Sequence, residues 1–344
     1  MAVREKIILN LLKSRSKQQS NAGFTLIELL ITLIIAFLIF TGLMTLMIEL
    51  LQTNQRETVR TETQREMQLA LDFIASEMRE AVYIYDGACL QGQNNCRGIF
   101  QQGSNIVPIQ GNSVPIIALW KLEPLPDAVC DGGGDSVCIS GKGQTLIVYA
   151  IRQKDDNDTD ETWRGDARIV RYELSPFQQD GDLKNGYIDP TNPFNTYETW
   201  PSNANGNQAT IPSDLWSRAV LVDSVHDKWV EDKSDRDTDN DGNPNCPGNN
   251  LYRLTPDPAT LQAYGFTDQG NPIYNFYACV RLPSAQVQDL TSAEANFNQK
   301  VILFLRGNTS ARTGAKTQQD EEFLPVIETQ VVNRSVLYKE PPPF

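Results

Sequence analysis

Two hydrophobic patterns follow one another in the first quarter of the chain. Residues 29–48 are 20 residues without one charge, and as a helix they would rise about 30 Å, enough to span a bilayer. After Glu49 the chain is polar, but apolar residues recur at a spacing of three to four, which predicts one buried helix face. These residues are Met67, Leu71, Ile74, Met78 and Val82. The pattern predicts a single helix from about Thr25 to Tyr83.

The rest of the chain reads as strands separated by loops. Segments rich in β-branched and aromatic residues mostly alternate apolar and polar positions, which is typical of antiparallel strands with one buried face. They are Ser113–Leu122, Gln144–Gln153, Ala167–Leu174, Arg218–Val225, Ile273–Leu282, Lys300–Arg306 and Val326–Tyr338. Residues 175–217 and 227–272 read as insertions into one head, and loops this long are usually functional or disordered. The expected fold class is α+β, with a long N-terminal helix packed on an antiparallel sheet.

The charges around the apolar run indicate a membrane signal. Five basic residues and one acid precede Gly23, and such a flank belongs on the cytoplasmic side, which leaves everything after Glu49 outside the cytoplasm. A cleaved secretory signal would have a shorter apolar region that ends at a small-residue site. A buried core helix would not follow this basic flank. An ordinary signal anchor passes both tests but leaves the acid Glu28 unexplained, since a charge at bilayer depth is costly without a partner.

The residues around that acid resemble a known signal. The stretch GFTLIELL, Gly23 to Leu30, looks like the type III signal of type IV prepilins and type II secretion pseudopilins. The resemblance implies that a membrane peptidase cuts after Gly23 and methylates Phe24. It also implies that Glu28 serves filament assembly by pairing with the terminal amine of a neighbouring chain. The expected divisions are a leader at 1–23, a transmembrane helix half at 24–51, an amphipathic helix half at 52–86, a β-rich head at 87–340 and a Pro-rich tail at 341–344.

The resemblance further implies a structural protein of the pilin fold and no enzyme. The chain is similar to the larger minor subunits, of the PilW and GspJ type, or to a pseudopilin of hormogonium polysaccharide secretion, with a role in a tip complex, assembly priming or gliding motility. Implied partners are other pilins or pseudopilins, the prepilin peptidase, and an inner-membrane assembly platform with a cytoplasmic ATPase. The protein would cross the inner membrane once, with its head in the periplasm.

Two alternative functions belong to other classes. A pilus-tip adhesin or sugar-binding module would be favoured if aromatic side chains such as Tyr197 and Trp200 were exposed. A membrane-anchored exported enzyme is the weaker alternative, because GGGDSVCISGKGQT departs from a phosphate-binding loop and the one histidine, His226, is not near a nucleophile elbow. His226 is expected to be hydrogen-bonded or solvated.

Composition narrows the possible partners and ligands. The formal net charge is −13 and becomes −17 without residues 1–23, which carry five basic residues and one acid; this argues against nucleic-acid binding. The six cysteines show no C-x-x-C spacing, and with one histidine a zinc site is poorly supplied. Disulfides in an oxidising compartment are preferred over free buried thiols. The expected pairs are Cys89–Cys96, Cys130–Cys138 and Cys246–Cys279.

An acidic segment is a candidate calcium site. Carboxylates at alternate positions precede a turn-forming glycine and an asparagine whose carbonyl adds an oxygen, as in the first half of an EF-hand loop. The residues are Asp237, Asp239, Asp241, Gly242 and Asn243. The twelfth position is Gly248 instead of glutamate, so a remote acid, Glu231 or Asp232, would have to complete a Ca²⁺ site. A solvated acidic loop is the alternative.

Overall fold

The computed structural model describes residues 23–93, 96–100, 106–109, 111–124, 142–155, 158, 160, 162–163, 165–178, 181–231, 244–247, 251–281, 299–309 and 324–333. The chain divides into two compact units, one before Glu57 and one from Glu57 onward. Helix α1, Leu26–Glu80, continues through Gly42. Thr41 and Thr45 lie beside that glycine, and their hydroxyl groups donate to the carbonyl oxygens of Phe37 and Thr41 at 2.7 and 2.9 Å.

The chain leaves α1 earlier than its hydrophobic pattern predicts. Residues Ala81–Ile84 form strand β1 instead of the last helical turn. β1 pairs with β2, Ser113–Pro124, in antiparallel register. Val, Tyr and Ile fit a pleated surface better than a helix, so pairing with β2 ends the helix at Glu80. The pattern missed this change because Val82 falls on the helical spacing of the apolar stripe.

The strands form two main antiparallel sheets, whereas one sheet was expected. The remaining elements are α2 (Gly87–Leu90), β3 (Lys142–Gln153), β4 (Ala167–Leu174), a 3₁₀ turn (Ser213–Leu215), β5 (Trp216–Val225), β6 (Tyr252–Thr255), α3 (Pro258–Ala263), β7 (Thr267–Asp268), β8 (Asn271–Pro272), β9 (Phe276–Arg281), β10 (Lys300–Arg306) and β11 (Val326–Val332). One sheet has the order β1-β2-β3-β4-β5 and the other β11-β10-β9-β6, while β7 and β8 form a short pair.

Most predicted strands occur close to their predicted bounds. Ala167–Leu174 and Lys300–Arg306 are confirmed as predicted. The predicted strand Val326–Tyr338 is described to Val332, and residues from 334 lie outside the described part of the chain, as does the tail at 341–344. β6 was not predicted, because its four residues follow a long polar stretch and show too short an alternation to register as a strand.

One core joins the C-terminal part of α1 to both sheets. The predicted helix face is confirmed, since Met67, Leu71, Ile74 and Met78 have no exposed surface. Burying an aliphatic side chain of this size contributes about 1.5–3 kcal/mol relative to leaving it exposed. The residues that pack with this face include Leu119, Ile147, Ile151 and Val222 of the five-stranded sheet and Ala278, Val301, Leu303 and Val331 of the four-stranded sheet.

The insertion after β4 covers the other face of the five-stranded sheet. Trp200, Ile211 and Leu215 pack in one cluster with Trp120 and Tyr172. The indole nitrogen of Trp200 donates to the carbonyl oxygen of Ile188 at 2.7 Å, which satisfies its one polar group. The described part of residues 175–217, predicted as an insertion into the head, is therefore a structural layer over the sheet.

Gly165 precedes β4 and lies so close to the backbone of β5 that there is no space for a side chain. A Cβ there would overlap the carbonyl oxygen of Asp223, whereas no atom of the described residues lies within 4 Å of a Cβ at Gly111. Because the obstacle is backbone, we expect Gly165→Ala to destabilise the head by about 1–3 kcal/mol, the usual cost of overpacking. Thermal unfolding should show a lower midpoint for Gly165→Ala and no loss for Gly111→Ala. Equal midpoints for the two variants would contradict the close approach.

Candidate functional site

The segment before α1 carries the predicted processing residues. Gly23, Phe24 and Thr25 are non-helical, and α1 begins at the next residue. The Phe24 side chain is 75% exposed. The peptide bond after Gly23 thus lies next to the start of the helix, in a non-helical segment that precedes its first turn.

Thr25 caps the first turn of α1. Its Oγ1 accepts a hydrogen bond from the backbone N–H of Glu28 at 3.3 Å, and its carbonyl oxygen accepts one from the N–H of Leu29 at 3.1 Å. Thr25 and Glu28 therefore occupy the positions of a capping box, Ser/Thr-x-x-Glu, at the N-terminus of a helix. The sequence analysis singled out both residues but did not predict the capping box, although the T-x-x-E spacing is a known sequence signal for one.

Glu28 is the one charged residue between Phe24 and Ile48. It lies in the first turn of α1, where the helix dipole favours a negative charge by about 0.3–1 kcal/mol. Its side chain is exposed within the described residues. The dipole is too weak to offset the cost of a carboxylate in hydrocarbon, which is about 2.5–3.5 kcal/mol on insertion scales. A carboxylate in this position therefore needs a stronger partner, which another chain could supply.

The apolar part of α1 meets the requirements of a membrane span. Its most apolar window has a mean hydropathy of 2.6 and is 0% buried within the described structure. A core helix of a soluble protein passes the same test of length and composition but is mostly buried. The exposure of this window agrees with a membrane span or a signal sequence near the N-terminus better than with a core helix.

The comparison with known families supports this interpretation of the N-terminus. Residues 18–44 match the model of the prokaryotic N-terminal methylation motif, a prepilin signal of the type IV pilin kind. No curated protein and no solved structure is similar enough to the chain to count as a match. The motif supports the class of pilins and pseudopilins, and with the exposed apolar helix it fits a membrane-anchored protein that assembles into a pilus-type filament.

A buried charge cluster holds α1 on the five-stranded sheet. Glu77 extends from α1 towards three adjacent strands, and its side chain is only 7% exposed. Arg171 of β4 contacts both carboxylate oxygens through Nε and Nη2, at 3.0 and 2.8 Å. Lys121 of β2 donates to Oε1 at 2.8 Å, and the hydroxyl group of Tyr149 on β3 donates to Oε2. One carboxylate thus ties the C-terminal part of α1 to three strands of the sheet.

The partners of Glu77 keep it ionised. Burial alone would raise the pKa of Glu77, but hydrogen bonds from Arg171, Lys121 and Tyr149 outweigh burial and leave the pKa below its ordinary value. Each of the two cations also forms an ion pair with a second carboxylate: Lys121 pairs with Glu123 at 2.6 Å, and Arg171 pairs with Glu173. Sequence reasoning missed this cluster because its members lie far apart in the chain and only the tertiary fold brings them together.

Two predicted disulfides are present. Cys89–Cys96 closes a short loop after β1, with Cα atoms 5.0 Å apart, and Cys246–Cys279 joins the segment after the acidic stretch to β9, with Cα atoms 5.6 Å apart. Both separations are ordinary for disulfides. Bridges of this kind are typical of oxidising compartments, which agrees with the expected location of the head. The pair Cys130–Cys138 lies outside the described residues.

The candidate calcium residues Asp237, Asp239, Asp241 and Asn243 also lie outside the described residues. Among the residues that the structure describes, no group of His, Cys, Asp or Glu side chains could hold a metal ion. A second acidic stretch, between β3 and β4, forms ion pairs. Asp158 contacts Arg152 at 2.7 Å and Asp160 contacts Arg168 at 2.9 Å.

The condition that would favour an adhesin is not met, and the expectation for His226 was wrong. Trp200 is fully buried and packs edge-on against Trp120, with ring centroids 5.0 Å apart; Tyr197 stacks on Tyr83 at 5.2 Å. These rings do not form the exposed aromatic cluster that would favour an adhesin. The side chain of His226 is neither solvated nor hydrogen-bonded within the described structure, since the residue is 4% exposed and neither ring nitrogen has a partner there.

Proposed function

We propose that this protein is a minor pilin or pseudopilin, a structural subunit of a type II secretion or type IV pilus-type filament. The observation that carries the proposal is the methylation motif at residues 18–44, together with the start of α1 directly after its processing junction. Glu28 then lies one turn into the mature helix, where the resemblance places the acid that pairs with a neighbouring Phe24 amine. The buried cluster around Glu77 supports a structural role for α1 in the head.

The finer proposal is a larger minor subunit of the PilW and GspJ type that acts in a tip complex or in assembly priming. The layer that covers the second face of the five-stranded sheet and the four-stranded sheet support it, because they make the head large. Its partners would be other pilins or pseudopilins, the prepilin peptidase and an assembly platform with a cytoplasmic ATPase. The basic flank before Gly23 supports a cytoplasmic N-terminus and a periplasmic head. Polysaccharide export and gliding belong to the same proposal.

We propose a structural role instead of a catalytic one. The buried charges around Glu77 are mutually paired and contact side chains of the fold. The adhesin alternative loses its specific support because Trp200 is buried. No observation on the described residues favours either alternative over filament assembly.

Processing at Gly23 tests the proposed class. We expect the mature protein to begin at Phe24 with one added methyl group, because cleavage there removes the basic leader and frees the start of α1. Intact-mass and N-terminal peptide mass spectrometry of the membrane-extracted protein should show this terminus. The matched controls are a strain without prepilin peptidase and the variant Gly23→Leu, both of which should retain the leader. An uncut leader in a strain with active peptidase would contradict the proposal.

A further inference from the structure

His226 lies where the two sheets of the head meet. It follows β5 directly, and its backbone N–H donates to the carbonyl oxygen of Arg306 at the end of β10, at 3.1 Å. Beside it, Val225 forms a bridge with Gly307, and the N–H of Asn308 donates to the carbonyl oxygen of Ser224 at 2.9 Å. We call residues 224–226 and 306–308 the sheet junction. It connects an edge of the five-stranded sheet to the four-stranded sheet.

The junction depends on a close contact with α1. A Cβ at Gly307 would overlap the sulfur of Met67 and would lie 3.2 Å from the carbonyl oxygen of Ser224. Met67 has no exposed surface and belongs to the core. Separation of the two junction strands would therefore open the core beside Met67. Packing this close tolerates little local movement.

The side chain of His226 is buried in this junction without a polar partner. The residue is 4% exposed, and neither Nδ1 nor Nε2 has a hydrogen-bond partner among the described residues. Its backbone carbonyl oxygen is held by Nδ2 of Asn275 at 3.0 Å, and the same nitrogen donates to the carbonyl oxygen of Lys228 at 2.7 Å. The backbone here is hydrogen-bonded, whereas no described group accepts a hydrogen bond from either ring nitrogen, so a protonated imidazole would carry two unpaired donors.

The charged groups around the imidazole are mainly unfavourable to protonation. Arg306 from β10 and Lys228 from the loop after β5 oppose a positive charge on the ring, and Asp268 of β7 favours it. Asp227, the next residue, contacts Lys228 at 3.6 Å and has a raised pKa because of burial and the nearby Asp166. Asp166 itself accepts a hydrogen bond from Asn308 at 2.6 Å. The acids near the ring are thus tied to other groups.

We propose that the sheet junction is an acid-sensitive opening point of the head, with His226 as its titrating group. At neutral pH the imidazole is uncharged and packs between the sheets. On acidification the ring takes up a proton, and the buried charge is relieved only when residues 224–226 separate from residues 306–308 and water reaches the ring. The opening exposes the core beside Met67 without requiring the five-stranded sheet to unfold.

The direction of the pKa shift of His226 determines the pH range in which the junction loses stability. Burial, with Arg306 and Lys228, lowers the pKa of His226 from 6.5 to about 4. A depressed histidine pKa means that the closed junction is fully stable above pH 6.5 and loses stability as the pH falls from 6.5 towards 4. Between pH 8 and pH 5 the equilibrium constant for opening should rise about 30-fold.

The test uses the full processed chain in detergent micelles, with an affinity tag that contains no histidine. Because His226 is the one histidine in the chain, histidine-selective isotope labelling gives a single ring signal in NMR spectra. We expect that signal to stay in the neutral form well below pH 6.5. Hydrogen exchange of the junction amides, corrected for the intrinsic rate, should accelerate about 30-fold between pH 8 and pH 5, while the amides of β3 stay slower than those of the junction.

His226→Phe is the matched variant, because phenylalanine has a similar shape and no titrating group; His226→Gln serves if that variant fails to fold. Either variant should keep the exchange rate of the junction amides nearly independent of pH over this range. Three results would each overturn the proposal: a ring that titrates near 6.5, the same acceleration in wild type and variant, or junction and β3 amides that exchange together in one global step.

Discussion

Glu28→Ala should give a protein that is processed and held in the membrane but no longer co-purifies with its filament partners. Among the described residues of the monomer, the carboxylate is stabilised by the helix dipole at the capped first turn, which contributes about 0.3–1 kcal/mol. Its side chain faces outward from the described chain, beside an uncharged run that ends at Ile48. In a filament, a neighbouring Phe24 amine would supply the opposite charge where water is scarce, and losing one partner of a buried pair costs about 3–5 kcal/mol.

Three variants separate the charge from the other roles of this position. Glu28→Gln keeps the shape of the side chain and removes its charge, so it should behave like Glu28→Ala. Glu28→Leu should also be processed and remain in the membrane, because it makes the helix more apolar. Glu49→Gln is the matched control, since Glu49 is the next acid along α1 and lies beyond the apolar run.

The measurement is co-purification of each variant with tagged pilin or pseudopilin partners, with the mature N-terminus checked by mass spectrometry. A loss of about 100-fold or more in recovered partner is expected if 3 kcal/mol of pairing is removed. Normal co-assembly of Glu28→Gln would contradict the charge pairing. Failure of cleavage in all Glu28 variants would instead assign the acid to peptidase recognition.

Glu77→Leu should destabilise the head by about 3–5 kcal/mol, the usual cost of removing one partner from a buried ion pair. The substitution leaves Arg171 and Lys121, whose side chains are 11% and 12% exposed, with only Glu173 and Glu123 as counter-charges. It also leaves the hydroxyl group of Tyr149 without its acceptor. Because the remaining acids still pair with both cations, we expect a value near the lower end of that range.

Chemical unfolding of the detergent-solubilised protein, followed by tryptophan fluorescence, measures this effect. Glu80→Gln is the matched control: Glu80 is the last residue of α1 and is exposed, so its loss should change stability by less than about 0.5 kcal/mol. The double variant Glu77→Leu with Arg171→Met should lose less than the sum of the two single losses, because the pair is removed together. Additive losses would show that the two side chains do not stabilise the fold as a pair.

The pH dependence of this cluster has a definite sign. The pKa of Glu77 is lowered in the folded head, so the stability that its ionised form contributes is complete above the ordinary pKa of a glutamate. That contribution is lost as the pH falls through the lowered pKa. Wild type should lose this stability in acid, while Glu77→Leu should lack this part of the pH dependence.

Local sequence patterns were enough to predict the membrane-spanning segment, the processing signal and the buried face of α1. The uncharged run, the basic flank and the GFTLIE junction were readable because each depends on neighbouring residues and on the properties of a bilayer. The face Met67, Leu71, Ile74 and Met78 was predictable for the same reason, since a helical repeat places these side chains on one side. The strand bounds at Ala167–Leu174 and Lys300–Arg306 followed from residues that favour a pleated surface.

Tertiary structure alone decided the features that depend on residues far apart in the chain. The end of α1 at Glu80 depends on the pairing of β1 with β2, and the division into two sheets depends on pairings between distant strands. The pattern around Trp200 predicted only an insertion into the head, and that insertion forms a layer because it buries the open face of the sheet. The environments of Glu77 and His226 could not be predicted from the sequence either. The groups that surround each side chain belong to elements that come together only when the chain folds.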